Sequence, residues 1–174
     1  MTPPSPPRRR LEIVPAGGVS VAFLEALGRE LDARLGTTHA VAPPLALDRA
    51  WSARRRRVRS APLLDALLAR AEGEASPSAA TWRLVVTDAR LEAPEVGRVF
   101  GEAAVGGGCA VVGLRDLDGG KRCDETTLLL RATKEAVHEL GHAAGLAHCA
   151  DPLCVMYPSL HIADTDRKAE RFCA

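Results

Sequence analysis

Four residues in the segment His138-Glu139-Leu140-Gly141-His142-Ala143-Ala144-Gly145-Leu146-Ala147-His148 have the types and spacing to build a metal site. His138 and His142 stand four residues apart, so on an α-helix both imidazoles share one face, one turn apart, close enough to hold one metal ion. Glu139 sits between them and points to the flank of that face. A carboxylate there can take a proton from a metal-activated water and deliver it to a leaving amine. Gly145 can adopt the left-handed conformation that ends a helix, which lets the chain turn and bring His148 back as a third ligand. Three imidazoles with one position left open is the arrangement of a catalytic zinc. His-Glu-x-x-His alone recurs in helices by chance; Gly145 and His148 at their offsets make the pattern more specific.

A helix must carry these groups, and the segment Thr126 to Gly145 supplies it, with Asp124 or Thr126 as its cap. Thr133, Ala136, Val137, Leu140 and Ala144 recur at three- and four-residue steps and mark its core face. Upstream, Leu11 to Val14 and Thr38 to Ala42 are expected strands around an amphipathic helix, Val19 to Leu35, stopped by Gly36. Leu63, Leu64, Leu67 and Leu68 have helical spacing, and Glu72 to Ser78 is an expected linker. Trp82 to Asp88, Gly97 to Ala103 and Cys109 to Leu114 are further strands, the last two joined by a turn at Gly106-Gly107-Gly108. A short helix, Asp164 to Phe172, with Asp164 as its cap, closes the chain. This alternation implies a layered domain of helices and strands.

Composition narrows the possibilities. The chain has 174 residues, 47% hydrophobic and 3% aromatic, with a net charge of +1. That suits one domain with a core built from Leu, Val and Ala. It does not suit a polyanion binder or a base-stacking surface, so no nucleic-acid partner is expected. No stretch reaches the length of a membrane span. Residues 1–10, rich in Pro and ending in Arg8-Arg9-Arg10, are expected to form a disordered arm before a domain over residues 11–174. They have no apolar run behind the charges, so they are not a secretory signal, and the expected location is cytoplasmic. The run Arg54 to Arg59 is taken as a solvated helix face. His39 and His161 lie outside the motif and are read as incidental, and Tyr157 as a packing residue.

Cys149, Cys154 and Cys173 follow the histidines, within a total of five cysteines that also includes Cys109 and Cys123. In a reducing compartment such residues are thiols or metal ligands more often than disulfides. Met156 follows His148 by eight residues, where a methionine turn beneath the histidines would supply a polarizable apolar floor. The arrangement His148-Cys149-x4-Cys154-x-Met156 resembles the archaemetzincins, within the metzincin clan of zinc peptidases. So do Arg131-x-x-Lys134-Glu135-Ala136-Val137-His138-Glu139-Leu140-Gly141-His142, Val99-Phe100-Gly101-Glu102-Ala103 and Ala110-Val111-Val112. The resemblance is specific from about Trp82 to Cys173.

The resemblance implies an α+β fold: a single metzincin-like domain, a mixed twisted sheet packed on helices that include the long active-site helix, and a short C-terminal subdomain after Gly145. It implies a catalytic zinc on His138, His142 and His148, with Glu139 as general base and acid, Met156 and Gly145 as structural support, and a peptide or protein as substrate. The substrate would lie extended along the edge near Gly97–Ala103 or Cys109–Leu114. It also implies a second, structural zinc. Cys149, Cys154 and Cys173 match three of that site's four cysteines. The fourth would fall three residues beyond Cys173, past Ala174, so another group must complete the shell: His161, Cys123, water or the terminal carboxylate. Buried or free thiols, or one disulfide, are the alternative for these cysteines. A zinc-stabilised binding or structural domain with little turnover is the alternative for the whole chain.

Overall fold

The computed structural model describes residues 8–46, 51–52, 57–72, 81–120 and 123–173. The elements in order are β1 (Arg9–Ala16), α1 (Val21–Leu35), β2 (Thr37–Val41), β3 (Trp51–Ser52), β4 (Arg57–Arg59), α2 (Ser60–Glu72), β5 (Thr81–Thr87), β6 (Arg90–Ala93), β7 (Gly97–Val99), β8 (Gly101–Ala104), β9 (Cys109–Gly113), α3 (Glu125–Ala143) and α4 (Ile162–Arg167). The expected α+β architecture is what forms.

The main sheet has the order β2-β1-β5-β9-β8. Its strands run parallel except β8, which pairs antiparallel with β9. Side chains alternate across it, and both faces are covered. Leu11, Ile13, Leu84, Val86, Ala110 and Val112 pack with residues of α1 and α3. Val14, Ala16, Val85, Cys109 and Val111 pack on the other side with Leu63, Leu64 and Leu67 of α2 and with Val58 and Leu91. Those last two belong to a second sheet, β3-β4-β6-β7.

Several expectations change. β1 starts at Arg9, inside the arm assigned to residues 1–10, because Arg9 and Arg10 pair with Thr37 and Thr38 of β2; residues 1–7 lie outside the described residues. β1 also continues through Pro15. The β2 ladder stops at Ile13, and beyond it the Pro15 carbonyl accepts from Leu45 N at 2.8 Å, so that side requires no N–H from the proline. The expected strand Gly97–Ala103 is two strands in different sheets, with the buried Phe100 between them. The described part of the arginine run, Arg57–Arg59, is β4 rather than a helix face. Residues 54–56 and 73–78 lie outside the described residues. Ala144 is exposed, not in the core. The last helix begins earlier than expected, with His161 as its N-cap; Asp164, one turn in, accepts the backbone N–H groups of Leu160 and His161. No helix among the described residues is long and apolar enough to cross a membrane.

Ionic contacts between segments add to the packing. Lys168 is wholly buried, and its Nζ lies 3.1 Å from Glu135 Oε1 on α3. Removing one partner of such a pair leaves the other charge buried and alone. Lys168→Met is therefore expected to cost about 3 kcal/mol of unfolding free energy, read from denaturant midpoints. Glu135→Leu combined with it should recover part of the loss.

At the other edge, His39 of β2 lies on Gly28, where an added Cβ would come within 2.2 Å of the ring. Its Nδ1 is 2.6 Å from Asp32 Oδ2 and its Nε2 is 3.1 Å from Glu25 Oε2. Burial lowers the His39 pKa, but the bonds to Asp32 and Glu25 outweigh it, and the net shift is upward from 6.5. The folded state thus binds this proton more tightly than the unfolded chain. The stabilisation is complete below pH 6.5 and is lost as pH rises through the higher folded value. Denaturation between pH 5.5 and 9, stepped in roughly half-unit increments, should show stability falling in the parent and a flatter profile in His39→Gln.

Candidate metal centre

The end of α3 is built to present the histidines. Asp124 caps its start, accepting from Thr127 N at 2.8 Å. At the other end Gly145 has φ +96°, Gly145 N donates to His142 O at 2.8 Å, and Leu146 N donates to Gly141 O at 2.9 Å. This paired closure is the Schellman ending, and it needs glycine at the left-handed position. The β8–β9 turn completes it: Gly106 N donates to His142 O at 3.0 Å and Gly108 N to Ala143 O at 3.1 Å. The triglycine therefore satisfies carbonyls that a helix terminus leaves open.

His138, His142 and His148 converge. Their ligand atoms all lie within 4.8 Å of one another, and the Nε2 atoms of His138 and His142 are 3.1 Å apart. Tetrahedral zinc with imidazole ligands needs nitrogens about 3.3 Å apart. His138 Nδ1 donates to Val155 O at 2.8 Å, and His142 Nδ1 donates to Leu146 O at 2.7 Å. Each bond fixes the tautomer and leaves Nε2 with a free lone pair. Burial, then the Lys168 charge, pushes the His138 pKa down to about 3, and burial also lowers that of His148. Neutral imidazole is the ligating form. The donor set fits a tetrahedral metal with one position open.

Glu139 is buried on the flank of this set. Burial raises its carboxyl pKa well above the usual range, helped by Glu135 and Glu102 and opposed by Lys168. A nearby cation acts in the opposite direction. The carboxylate fits because residue 101 is glycine: a Cβ there would lie 2.5 Å from Glu139 Cγ and 2.7 Å from its Oε1. The triad and Glu139 line a cleft of about 500 Å³, with β8 as one wall and Pro158, Ser159 and Leu160 as another. β8 is the sheet's edge. β9 lies between β5 and β8, so the Cys109–Leu114 segment offers no free edge for an added strand.

Met156 packs against the backbone of Gly141, where a Cβ would meet its Sδ at 2.5 Å. Cys149, Cys154 and Cys173 form a second group with sulfurs within 4.8 Å of one another, and Cys149 and Cys173 are 3.7 Å apart. Among the described residues, no disulfide joins them. Burial raises the Cys154 pKa, but N–H groups of Cys173 and Met156 and the Cys173 and Cys149 thiols outweigh it and bring it down, while Cys173 is pushed up to about 11 by the Cys154 and Cys149 thiols. Among the described residues, neither Cys123 nor His161 joins this group. Cys123 lines a different hollow, beside Asp88 and Glu125.

Glu135 and Lys168 are the site residues that the sequence reading did not single out. Glu135 Oε1 accepts from Ser159 Oγ at 2.9 Å and from Thr165 Oγ1 at 2.7 Å, and Lys168 Nζ lies 3.4 Å from Tyr157 O. Together they pin the Tyr157–Leu160 wall to α3. The available signal was Glu135 three residues before His138, on the same helix face.

Comparison with known proteins agrees with this geometry. The model of peptidase family M54 matches residues 79–174. Archaemetzincin of Pyrococcus furiosus is 43% identical over 91 residues, which is 51% of this chain and 47% of that protein. The chain spans about half the length of the curated relatives it matches. The crystal structure of archaemetzincin from Archaeoglobus fulgidus superposes with a TM-score of 0.76 and 31% identity, covering 94% of this chain and 95% of that one. A zinc-dependent peptidase from Methanocorpusculum labreanum superposes with a TM-score of 0.81 and 26% identity, covering 94% and 96%. A family match over more than half of the chain, containing both the histidine and cysteine groups, means that this chain belongs to peptidase family M54.

Proposed function

We propose that the chain hydrolyses peptide bonds, with His138, His142 and His148 holding a zinc ion and Glu139 moving the proton. The observation that carries this reading is the pair of Nδ1 bonds, His138 to Val155 O and His142 to Leu146 O, which turn two Nε2 lone pairs toward a common point beside a buried carboxylate. Zinc held there supplies Lewis acidity, activating a water and polarising the scissile carbonyl. Glu139 accepts the proton of the attacking water and then donates it to the leaving amine. Its buried setting favours the protonated form that the second step needs. The substrate lies extended along β8, the free edge, pairing with its backbone. Val96, Val105 and Leu160 are strongly exposed at this cleft and supply an apolar rim for its side chains.

Glu139→Ala should retain zinc and lose about a hundredfold or more in kcat/KM. An unbiased peptide-library digest of parent and variant, with zinc measured on both, checks this. Equal cleavage by the two would remove Glu139 from the mechanism. Zinc binding without cleavage by the parent would leave a zinc-stabilised binding domain.

Cys149, Cys154 and Cys173 hold a second zinc in this reading, with a fourth ligand from outside the trio. Metal analysis after mild chelation should find two zinc ions per chain, about the binding strength of thiolate sites resisting removal, and Cys173→Ser should lower the count by one. A single zinc unaffected by that substitution contradicts the second site.

A further inference from the structure

The cleft does not end at the histidines. Arg98 and Phe100 line it and also line a hollow of about 400 Å³, so the two adjoin at these residues. Arg90, Arg98, Arg115 and His161 line the hollow, with Asp116 and Asp118. Asp116 is largely buried; both its oxygens lie 3.0 Å from Arg90 Nε, and Oδ2 is 3.7 Å from Arg98 Nε. Arg90 therefore keeps its two terminal nitrogens without a described partner, and Arg98 has one long contact. Arg115 is exposed and makes no hydrogen bond or ion pair to a described residue. Three guanidiniums against two carboxylates leave the hollow positive. The balance reverses beside the histidines, where Glu102, Glu135 and Glu139 line the cleft.

We infer that this hollow is a subsite for a substrate carboxylate two to four residues from the scissile bond, an inference that rests on the peptidase reading of the cleft. Arg98 stands three residues before Gly101, the glycine beneath Glu139. Three extended residues span at most about 11 Å, so a peptide lying along this wall covers the same distance in about three of its own residues. The guanidinium fork matches a carboxylate, and a charge-assisted pair is among the stronger polar contacts available. The carboxylate belongs to an Asp or Glu side chain or to the C-terminus of the peptide.

The test measures binding to zinc-loaded Glu139→Ala and cleavage by the parent. The probes are peptide pairs with Glu or Gln at each of these positions on either side of the bond, with free or amidated C-termini. At one position the carboxylate should improve both binding and kcat/KM by about tenfold, an effect that weakens as salt is raised. Arg115→Ala and Arg98→Ala should each bring the Glu-to-Gln ratio toward one. A preference confined to free C-termini identifies the terminal carboxylate; one that survives amidation identifies the side chain. Cleavage with no Glu preference, or a preference untouched by both substitutions, overturns the subsite and leaves the peptidase reading intact. An arginine-dependent preference in binding, with no cleavage by the parent, keeps the subsite and overturns the peptidase reading.

Discussion

The structure depends on one demand: α3 is buried along most of its second half, yet carries polar groups there. Every residue from Ala132 to Gly141 is buried, and Thr133, Lys134, Glu135, His138 and Glu139 are among them. Buried polar groups without partners cost more free energy than a domain of this size can lose. Thr133 donates within the helix, to Leu129 O. Lys134, Glu135 and His138 are answered from beyond Gly145. Lys134 donates to Thr165 O and Asp166 O, Glu135 takes Ser159, Thr165 and Lys168, and His138 donates to Val155 O. The segment after the helix is thus its polar complement. Glu139, which lines the cleft together with His138 and Glu135, alone among the five has no hydrogen bond to a described residue.

That division explains why the C-terminal segment needs fastening. Past Gly145 its regular structure is the six-residue α4, too short to hold itself in place. Cross-links compensate: Val155 N to Arg171 O, Ala169 N to Leu153 O, Cys149 N to Met156 O, and Cys173 N to Cys154 Sγ. The three clustered thiols lie among these contacts. Small units with little core are commonly secured by a metal or a disulfide. A metal on the cysteines would hold the residues that orient His138 and the Tyr157–Leu160 wall, so the two cysteine and histidine groups are mechanically linked through Val155 and Met156.

The sequence made some of this legible and hid the rest for physical reasons. His138, Glu139, His142, Gly145 and His148 could be placed because helical spacing and a glycine ending are local rules. β1, β5 and β9 announced themselves as apolar runs, and Asp124 and Gly36 as helix boundaries. β6 did not: in Arg90–Ala93 the sole large apolar residue is Leu91, and its parallel partner β4 lies more than thirty positions upstream. Lys168 was hidden because a lysine near a chain end looks like a surface residue; its burial is decided by Glu135, a partner that no periodicity connects to it. The split at Phe100 was hidden for a similar reason. In Gly97 to Ala103 only Val99 and Phe100 are strong strand formers, and which sheet takes each half is decided by its partner strand, β6 for one and β9 for the other.

That break is what makes a groove. β7 ends as the edge of the second sheet and β8 begins as the edge of the main sheet, with Phe100 turned into the core between them. A long, flat free edge invites pairing with other chains, but these edges are three and four residues long. Each is short enough to resist aggregation, yet together they form a continuous wall from Arg98 to Ala103. Gly101, in ordinary strand backbone, leaves the space into which Glu139 fits. A side chain at that position would have to displace either the strand or the carboxylate. The junction of the two sheets and the chemistry of α3 are therefore one geometric problem, solved at a single glycine.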